Sequence, residues 1–417
     1  MTQTLEVTQA AEVTQAAEVT QAVERPLQTA KPALGRGLLL LMSVATGLSV
    51  AGNYFAQPLL DLMGRELRLS TTMAALIVTA AQVGYALGLM LLVPLGDLVE
   101  RRRLAVSLFG ATAAFLVLTA LAPNGSILLL GTALTALTSV AAQVVVPYAV
   151  TLAAPEQRGR VVGTVMTGLL LGALLARTAS GALSELGGWR TVYWVNAVLM
   201  IVVAVLLRRH LPKLHTPAGL RYPALLRSTF ALFRTEPLLR WRAGIAALSL
   251  ASFNVLWTAV TFLLAGTYGW SEGAIGLFGL VGVAGALSTL AAGRLADRGF
   301  VQWLTGAGTA LLALSWLAVG AGGASMWWLI GGVLVLNVAQ SSLLNANQNV
   351  IYALRPEIRN RLNSAFMTAF FAGGATGSAL TSIVWVSAGW TGVSVLGGSL
   401  ATGTFVLWVL ERVRTHA

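Results

Sequence analysis

Residues 94–103 read PLGDLVERRR and residues 293–299 read GRLADRG, and each stretch closes a long apolar run. Asp97 and Asp297 lie 200 residues apart, so the chain carries one boundary motif twice. Charged residues at the end of an apolar run are typical of the edge of a membrane-spanning helix. The repetition therefore predicts a membrane protein that arose by duplication.

The composition also favours a membrane protein. Of the 417 residues, 56% are hydrophobic and 10% are charged, and the mean hydropathy is +0.77. These charges are too few to cover a water-soluble globule of this size. Because a spanning helix needs roughly 20 mostly apolar residues, we predict an all-α membrane protein with twelve spans. The spans are expected to begin near residues 37, 71, 104, 126, 161, 188, 243, 274, 302, 325, 364 and 391.

The net charge of +12 would also suit a nucleic-acid-binding protein, so the placement of the basic residues decides between the two. The loops on one side of the predicted spans contain only Arg65, Arg68 and Arg190. Arg177 falls within a span, and the other basic residues lie on the opposite side. Because cytoplasmic loops carry such an excess, we predict an inner (plasma) membrane protein with both termini cytoplasmic. Its basic residues are expected to contact anionic lipid and not nucleic acid.

The chain divides into segments of different composition. In the N-terminal tail the unit EVTQAA recurs from Glu6, Glu12 and Glu18, with too few large apolar residues to build a core. A basic stretch later separates six predicted spans from six. The predicted segments are a cytoplasmic tail at 1–36, a six-helix bundle at 37–209, a cytoplasmic linker at 210–242, a second six-helix bundle at 243–411 and a C-terminal tail at 412–417.

The two halves repeat each other beyond the boundary motif. Gly188-Trp189 recurs as Gly389-Trp390, and Asn53 recurs as Asn254, both at an offset of 201 residues. Several unrelated residue types at one offset indicate an internal repeat. With six spans in each half, the halves are expected to be parallel repeats about an axis along the membrane normal.

These motifs resemble those of the major facilitator superfamily, and the resemblance covers residues 37–411. In that family the loop between spans 2 and 3 reads G-x-L-a-D-r-x-G-R-R, and here Leu95, Asp97, Arg101 and Arg102 match it. Val93 and Glu100 replace its two glycines. The resemblance implies two six-helix bundles, related by a pseudo-twofold axis, that rock around a site near the middle of the membrane.

Span 5 carries a second resemblance within that family. Gly163, Gly172 and Gly181 recur every nine residues, which is similar to the glycine motif of drug and sugar efflux antiporters. The Gly-Pro of that motif is replaced by Ala176-Arg177. The leading expectation is therefore proton-coupled efflux of a small drug-like or sugar-like molecule.

Arg177 is the single most informative residue. It lies about 24 Å along span 5 from the predicted cytoplasmic start, at 1.5 Å per residue, and a charge there costs roughly 2.5–3.5 kcal/mol. It is expected either to attract an anionic substrate group or to modulate the protonation of Asp61 as part of a proton-coupling site. The alternative is a structural donor to helix carbonyls or amides. Asp61 and Glu185 are the nearest candidate carboxylates in the sequence.

Polar side chains within spans 1, 4, 7 and 10 outline a candidate substrate cavity. The resemblance implies that these four spans line the central path, and amides suit a polar solute. Hydrogen bonding between helices is the alternative for any one of them. The cavity candidates are Asn53, Tyr54, Gln57, Gln143, Tyr148, Arg177, Asn254, Trp257, Gln340, Asn345, Gln348, Asn349 and Tyr352.

The repeated boundary motif predicts a gate on the cytoplasmic side. Asp97 can face the start of span 11 near Ser364, and Asp297 the start of span 5 near Gly163, because free N–H groups at a helix N-terminus favour an anion. Simple topology-fixing charges are the alternative. The gate candidates are Asp97, Arg101, Arg102, Arg158, Asp297, Arg298 and Arg359.

The sequence contains no phosphate-binding loop with lysine and no cluster of metal ligands. We therefore expect no enzyme activity, no cofactor and no metal. The expected partners are a small-molecule substrate, protons and membrane lipid, and the resemblance implies a functional monomer. Uptake or facilitated transport of a small organic anion is the alternative function, and a non-transporting membrane receptor or scaffold is the alternative from another class.

Overall fold

The computed structural model describes residues 35–154, 157–213, 222–355 and 358–416. Within these ranges it describes all side chains except those at positions 97, 286, 290, 291, 294, 296, 297, 359, 360, 415 and 416. The described residues form helices and connecting turns, with no strand among them. Ten of these helices are long and apolar enough to cross a membrane. The all-α membrane class is therefore confirmed.

The first half contains six helical spans. Span 1 is broken into two helices and a 3-10 turn, and span 4 into two helices. The bounds are Arg36–Ala51, Gln57–Leu59 and Leu60–Glu66 for span 1, Thr71–Leu91 for span 2, Arg101–Ala120 for span 3, Gly125–Thr138 and Ala141–Leu152 for span 4, Arg158–Gly187 for span 5, and Trp189–His210 for span 6.

The second half follows the same order. Its last helix, Arg359–His416, contains a non-helical residue at Gly389 that divides it into spans 11 and 12. The other bounds are Pro237–Gly266 for span 7, Glu272–Phe278, Gly279–Gly282 and Val283–Asp297 for span 8, Val301–Ala321 for span 9, and Met326–Leu354 for span 10. The twelve predicted spans are reached when this divided helix counts as two and the shorter Arg36–Ala51 helix as one.

The repeated Gly-Trp pair has a conformational cause. Gly188 has φ of 76° and Gly389 has φ of 55°, a region that residues with a Cβ rarely adopt. Each glycine turns the chain between consecutive spans, 5 to 6 and 11 to 12. The same backbone requirement in both halves explains why the pair recurs at the same offset.

The linker contains structure that the sequence did not predict. A helix spans Tyr222–Thr235, and span 7 begins at Pro237 instead of near residue 243. The Tyr222 hydroxyl donates to the Leu91 carbonyl, 2.7 Å away, at the end of span 2, and burial raises the pKa of this hydroxyl. This helix therefore links the two halves: it contacts span 2 of the first half and leads directly into span 7 of the second.

Small residues set the closest helix contacts within each half. A Cβ on Gly172 would lie 2.2 Å from the Gly47 carbonyl oxygen, and one on Gly377 would lie 2.2 Å from that of Ala251. Spans 1 and 5 therefore pack backbone to backbone, as do spans 7 and 11 in the other half. Close approach through small residues is typical of helix packing in membranes.

Candidate functional site: a buried arginine between the two halves

Arg177 lies in the middle of the molecule with its side chain 7% exposed. Its Nε donates to Gln57 Oε1 over 2.6 Å, and its Nη1 to the Ala173 carbonyl over 3.4 Å. Gln57 belongs to the 3-10 turn of span 1, where the helix is interrupted. This interruption brings the Gln57 side chain to the span that carries the arginine.

Two aromatic rings flank the guanidinium group. The Arg177 Cζ atom lies 4.5 Å from the ring centroid of Tyr54 and 4.1 Å from that of Trp257. Tyr54 belongs to the first half and Trp257 to the second, so the arginine bridges the two. A cation–π contact with a desolvated guanidinium contributes about 2 kcal/mol, which offsets part of the cost of burial.

Donor groups around Arg177 lack protein partners. Gln57 Nε2 and Trp257 Nε1 are buried and have no hydrogen-bond acceptor among the described residues. The same holds for Asn254 Nδ2, one turn before Trp257, which faces Gly374 of span 11. Among those residues no carboxylate forms an ion pair with Arg177. Buried polar groups are nearly always satisfied in native proteins. A site rich in unpaired donors and carrying a positive charge can bind an anion.

The carboxylates expected near Arg177 have other partners. Asp61 forms an ion pair of 3.1 Å with Arg65, one turn along the same helix. Glu185 accepts from the Ser271 hydroxyl and from the Gly273 backbone N–H, at 2.9 and 3.0 Å. Neither carboxylate contacts Arg177 in this structure, and a role for Asp61 in proton coupling stays a prediction.

The remaining cavity candidates divide into two groups. Asn53 lies one turn before Gln57, and Asn53 Oδ1 and both polar atoms of Gln340 are buried without a partner. The Gln143 side chain hydrogen-bonds to Tyr85. The ring centroid of Tyr85 lies 4.4 Å from that of Phe371 in the other half. Their assignment to a central cavity stays a prediction.

The second group lies towards the ends of its spans. The Tyr148 hydroxyl donates to the Pro212 carbonyl, just past span 6. Asn349 donates to Asn345, the Gln348 amide contacts the Met367 sulfur at 3.6 Å, and the Tyr352 hydroxyl donates to Asn363 at 3.1 Å. The shared face predicted for span 10 thus contacts span 11 and its own neighbours, and not Arg177.

The predicted cytoplasmic gate is described only in part. The side chains of Asp97, Asp297 and Arg359 lie outside the described residues. Arg101 donates to Thr151, and Arg102 pairs with Glu100 at 3.4 Å, all within the first half.

Two gate candidates lie at the surface, and one hydrogen bond near the gate joins the two halves. Arg158 and Arg298 are exposed. The Ser364 hydroxyl donates to the Leu89 carbonyl over 2.9 Å. The start of span 11 therefore lies against the end of span 2, as the gate hypothesis requires.

A set of contacts at the opposite end was missed by the sequence analysis. Arg65 pairs with Glu272 at 2.7 Å, and the Thr261 hydroxyl donates to the Gln57 carbonyl at 2.7 Å. Together with the Glu185 contacts, these join the two halves on the predicted outer side. We call Arg65, Glu185, Thr261 and Glu272, with their partners, the outer closure. The sequence offered Glu185 as a candidate carboxylate for Arg177 and Glu272 as a charge at the outer side, and nothing there paired either of them with the opposite half.

Comparison with known families agrees with the fold. The family model described as Major Facilitator Superfamily matches residues 42–313 and 242–417. The solved structure of a bacterial homologue of the human lysosomal transporter Spinster is similar, with a TM-score of 0.70 and 16% identity over 90% of this chain and 94% of that chain. This second likeness concerns the fold alone.

Two relatives are similar to this chain in amino-acid sequence. The chain is 50% identical over 376 residues to the uncharacterized transporter YgaY of Escherichia coli O157:H7, covering 90% of this chain and 95% of that protein. It is 29% identical over 206 residues to the 3-(3-hydroxy-phenyl)propionate transporter of Escherichia coli K12, covering 49% of each. Both relatives are named as transporters.

Proposed function

Because the chain belongs to the Major Facilitator Superfamily, and is thus a membrane transporter and not an enzyme, we propose that it carries a small organic anion. The observation that carries this proposal is the chemistry around Arg177, a buried guanidinium without a carboxylate partner among the described residues. A substrate carboxylate would supply the missing charge. Its location is proposed as the inner membrane, and its mechanism as rocking of the two halves.

The shape of the site suggests which anion binds. The rings of Tyr54 and Trp257 lie on the guanidinium. The ring centroids of Phe253 and Phe278 lie 6.1 and 6.4 Å from that of Trp257. An apolar or aromatic body on the carboxylate would pack on these rings. The relative named for 3-(3-hydroxy-phenyl)propionate, a carboxylate with an aromatic ring, supports the same substrate class.

Because Arg177 contacts both halves, a substrate bound to it could change the conformation of the transporter. In the empty site the guanidinium contacts Gln57 and Tyr54 in one half and Trp257 in the other. A bound carboxylate would form charge-assisted, bidentate hydrogen bonds with the Nη atoms of Arg177, while Gln57 would keep its hydrogen bond to Nε and hold the guanidinium in place. A ligand shifts a conformational equilibrium only by differential contacts, and Arg177 supplies such contacts at the boundary between the halves.

Proton-coupled efflux of a drug-like or sugar-like molecule is the second candidate. The glycine repeat of span 5 favours it, because this repeat resembles the motif of efflux antiporters. Gly181 of the repeat lies in a close contact between the halves, since a Cβ there would be 3.1 Å from Gly276 Cα in span 8. Asp61 remains the candidate proton carrier, and its partner in this state is Arg65.

Substrate-triggered proton flux in proteoliposomes with a pH-sensitive dye distinguishes the two candidates. The test compounds are 3-(3-hydroxyphenyl)propionate, tetraphenylphosphonium and a neutral sugar, and uptake of radiolabelled 3-(3-hydroxyphenyl)propionate detects flux that is not coupled to protons. We expect transport of the carboxylate, and its loss by about 100-fold or more in Arg177→Gln, since charged hydrogen bonds and the ion pair are both removed.

The control for that variant is Arg190→Gln. Arg190 also lies over a tryptophan ring, with its Cζ 4.3 Å from the Trp189 centroid, but it is at the surface. Normal transport of the carboxylate by Arg177→Gln would overturn the proposal. A response to the cation or the sugar alone would favour efflux and make Asp61→Asn the next variant.

A further inference from the structure

The linker helix Tyr222–Thr235 lies at the level where the spans end on the predicted cytoplasmic side. At its start, the Tyr222 hydroxyl donates to the Leu91 carbonyl, at the end of span 2. Just past its end, Glu236 pairs with Arg355 at 3.1 Å, directly after span 10. Because both ends of this helix, which is about 21 Å long at 1.5 Å per residue, are fastened to span ends, it runs along the membrane boundary.

One face of the linker helix packs on the protein. Leu225, Thr229 and Leu232 are buried. Between them, the Ser228 hydroxyl accepts a hydrogen bond from Arg361 Nη1, near the start of span 11, over 3.4 Å. The spacings of three and four residues put these side chains on one side of the helix. Since spans 2 and 11 belong to different halves, the helix is held by both.

The opposite face of the linker helix is exposed, basic and aromatic. Arg227, Phe230 and Arg234 are exposed, and Phe230 keeps 51% of its surface accessible. Their spacings of three, four and seven residues put them on one side of the helix. No Asp or Glu occurs in residues 222–235, and neither arginine forms an ion pair among the described residues. The positive charge of this face is therefore not neutralised within the protein.

We propose that this exposed face, formed by Arg227, Phe230 and Arg234, binds anionic glycerophospholipids of the cytoplasmic leaflet. A helix that runs along the boundary places an exposed phenylalanine where it can enter the top of the hydrocarbon layer. Arginines three residues before it and four residues after it can then reach the phosphates. The negative surface potential of an anionic leaflet attracts such basic residues.

This contact selects lipids by charge. The spanning helices meet acyl chains whatever the headgroup is, whereas the two arginines of the linker helix gain most from a headgroup with a net negative charge. The phenylalanine favours a lipid over a soluble polyanion, because only the lipid offers it an apolar layer. Binding would hold the linker helix on the membrane, next to the ends of spans 2 and 11 that it joins.

Fluorescence quenching in liposomes tests this surface with the full-length protein. The sequence contains no cysteine, so Phe230→Cys can carry a single bimane label, whose rings take the place of the phenylalanine. The liposomes contain phosphatidylethanolamine and a minority of phosphatidylglycerol. A nitroxide near the top of one acyl chain is carried either by the phosphatidylglycerol or by the phosphatidylethanolamine, at equal concentration. We expect quenching to be at least about twofold stronger when the nitroxide is on the anionic lipid, because that lipid is enriched at the arginines.

Arg227→Gln with Arg234→Gln should abolish the preference for the anionic lipid. The matched control is Arg208→Gln with Arg209→Gln, which removes the same charge from an exposed pair at the end of span 6 and should retain the preference. Equal quenching by both lipids, or an equal loss in the control, would overturn the proposal. So would a label that neither lipid quenches, since the face would then point to water. A preference that appears only after deletion of residues 2–30 would assign the face to the glutamate-bearing tail instead.

Discussion

The two halves form the same contact with different chemistry. In the first half, Arg177 of span 5 hydrogen-bonds to Gln57 of span 1. At the offset of 201 residues these correspond to Ser378 of span 11 and Thr258 of span 7, whose hydroxyls are also hydrogen-bonded, at 3.0 Å. The backbone geometry of the repeat is therefore retained, and a charge has been placed in only one copy.

The second half has its own buried charge in a different place. Arg242 pairs with Glu411 at 2.8 Å, and their side chains are 0% and 1% exposed. Arg242 also donates to Thr305 at 3.0 Å. The corresponding residues of the first half are Leu41 and His210. Arg242 thus has its counterion inside one bundle, whereas Arg177 lies between the halves and forms no ion pair among the described residues.

Breaking the buried pair of the second half should have the largest effect on stability. Arg242→Met leaves Glu411 buried without its cation, which typically costs about 3–5 kcal/mol. Denaturant unfolding in detergent, followed by circular dichroism, measures the loss. The double variant Arg242→Leu with Glu411→Leu should recover most of it, because apolar replacements of both partners are often neutral. A double variant as unstable as the single one would show that the pair does more than neutralise itself.

The Gln57–Arg177 contact of the first half and the Thr258–Ser378 contact of the second half should differ in their effect on affinity for the substrate. Gln57→Leu removes a hydrogen bond to a charged group, worth about 1.5–3 kcal/mol, so we expect affinity for the transported carboxylate to fall by roughly 10- to 100-fold. Thr258→Val is the matched change in the other half and should leave the affinity within about twofold, since a neutral hydrogen bond outside the site is lost. Equal losses in both variants would mean that both copies of the contact belong to the site.

The sequence predicted the features of this fold that depend on local pattern. The starts of most spans follow from apolar length, and the recurring Gly-Trp pair marks a turn that needs positive φ. Arg177 stood out because a charge within a span is rare. The sequence did not pair it with Gln57, because Gln57 reaches it through an interruption of span 1 that leaves no local signal.

Pairs formed over long sequence separations account for the rest. Arg242 was assigned to the linker because it continues a basic stretch, and its partner Glu411 lies at the far end of the chain. Helical spacing placed the span 10 amides on one face, but which neighbour that face meets is a tertiary choice. Such contacts depend on how the helices pack, which one sequence does not determine.

The outer closure offers a smaller effect on the balance of states. Arg65→Gln with Glu185→Gln removes an ion pair and a charged helix cap, together roughly 1–2 kcal/mol. We expect the outward-open state to become about 5- to 30-fold more populated relative to the closed one. The natural chain has no cysteine, so Thr261→Cys can report opening through an impermeant maleimide added on the outer side. Unchanged labelling would mean that other contacts hold this side closed.

The smallest expected effect concerns the boundary motif on the other side. Asp97 ends a short 3-10 helix, Val93–Asp97, that follows span 2, and the last turn of span 2 accepts a hydrogen bond from Ser364 of span 11 at the Leu89 carbonyl. If the Asp97 carboxylate stabilises the N-terminus of span 11, Asp97→Asn removes about 0.3–1 kcal/mol and should raise the labelling rate of Ala365→Cys from the cytoplasmic side by up to about fivefold. Binding of the carboxylate should persist, since Asp97 is remote from Arg177 along the chain and lies at the end of its span. Arg103→Gln is the control, because Arg103 is an exposed charge at the same side and is not a gate candidate. Changes of similar size and opposite direction in the two variants would mean that the net charge of this surface, and not a contact between the halves, sets the equilibrium.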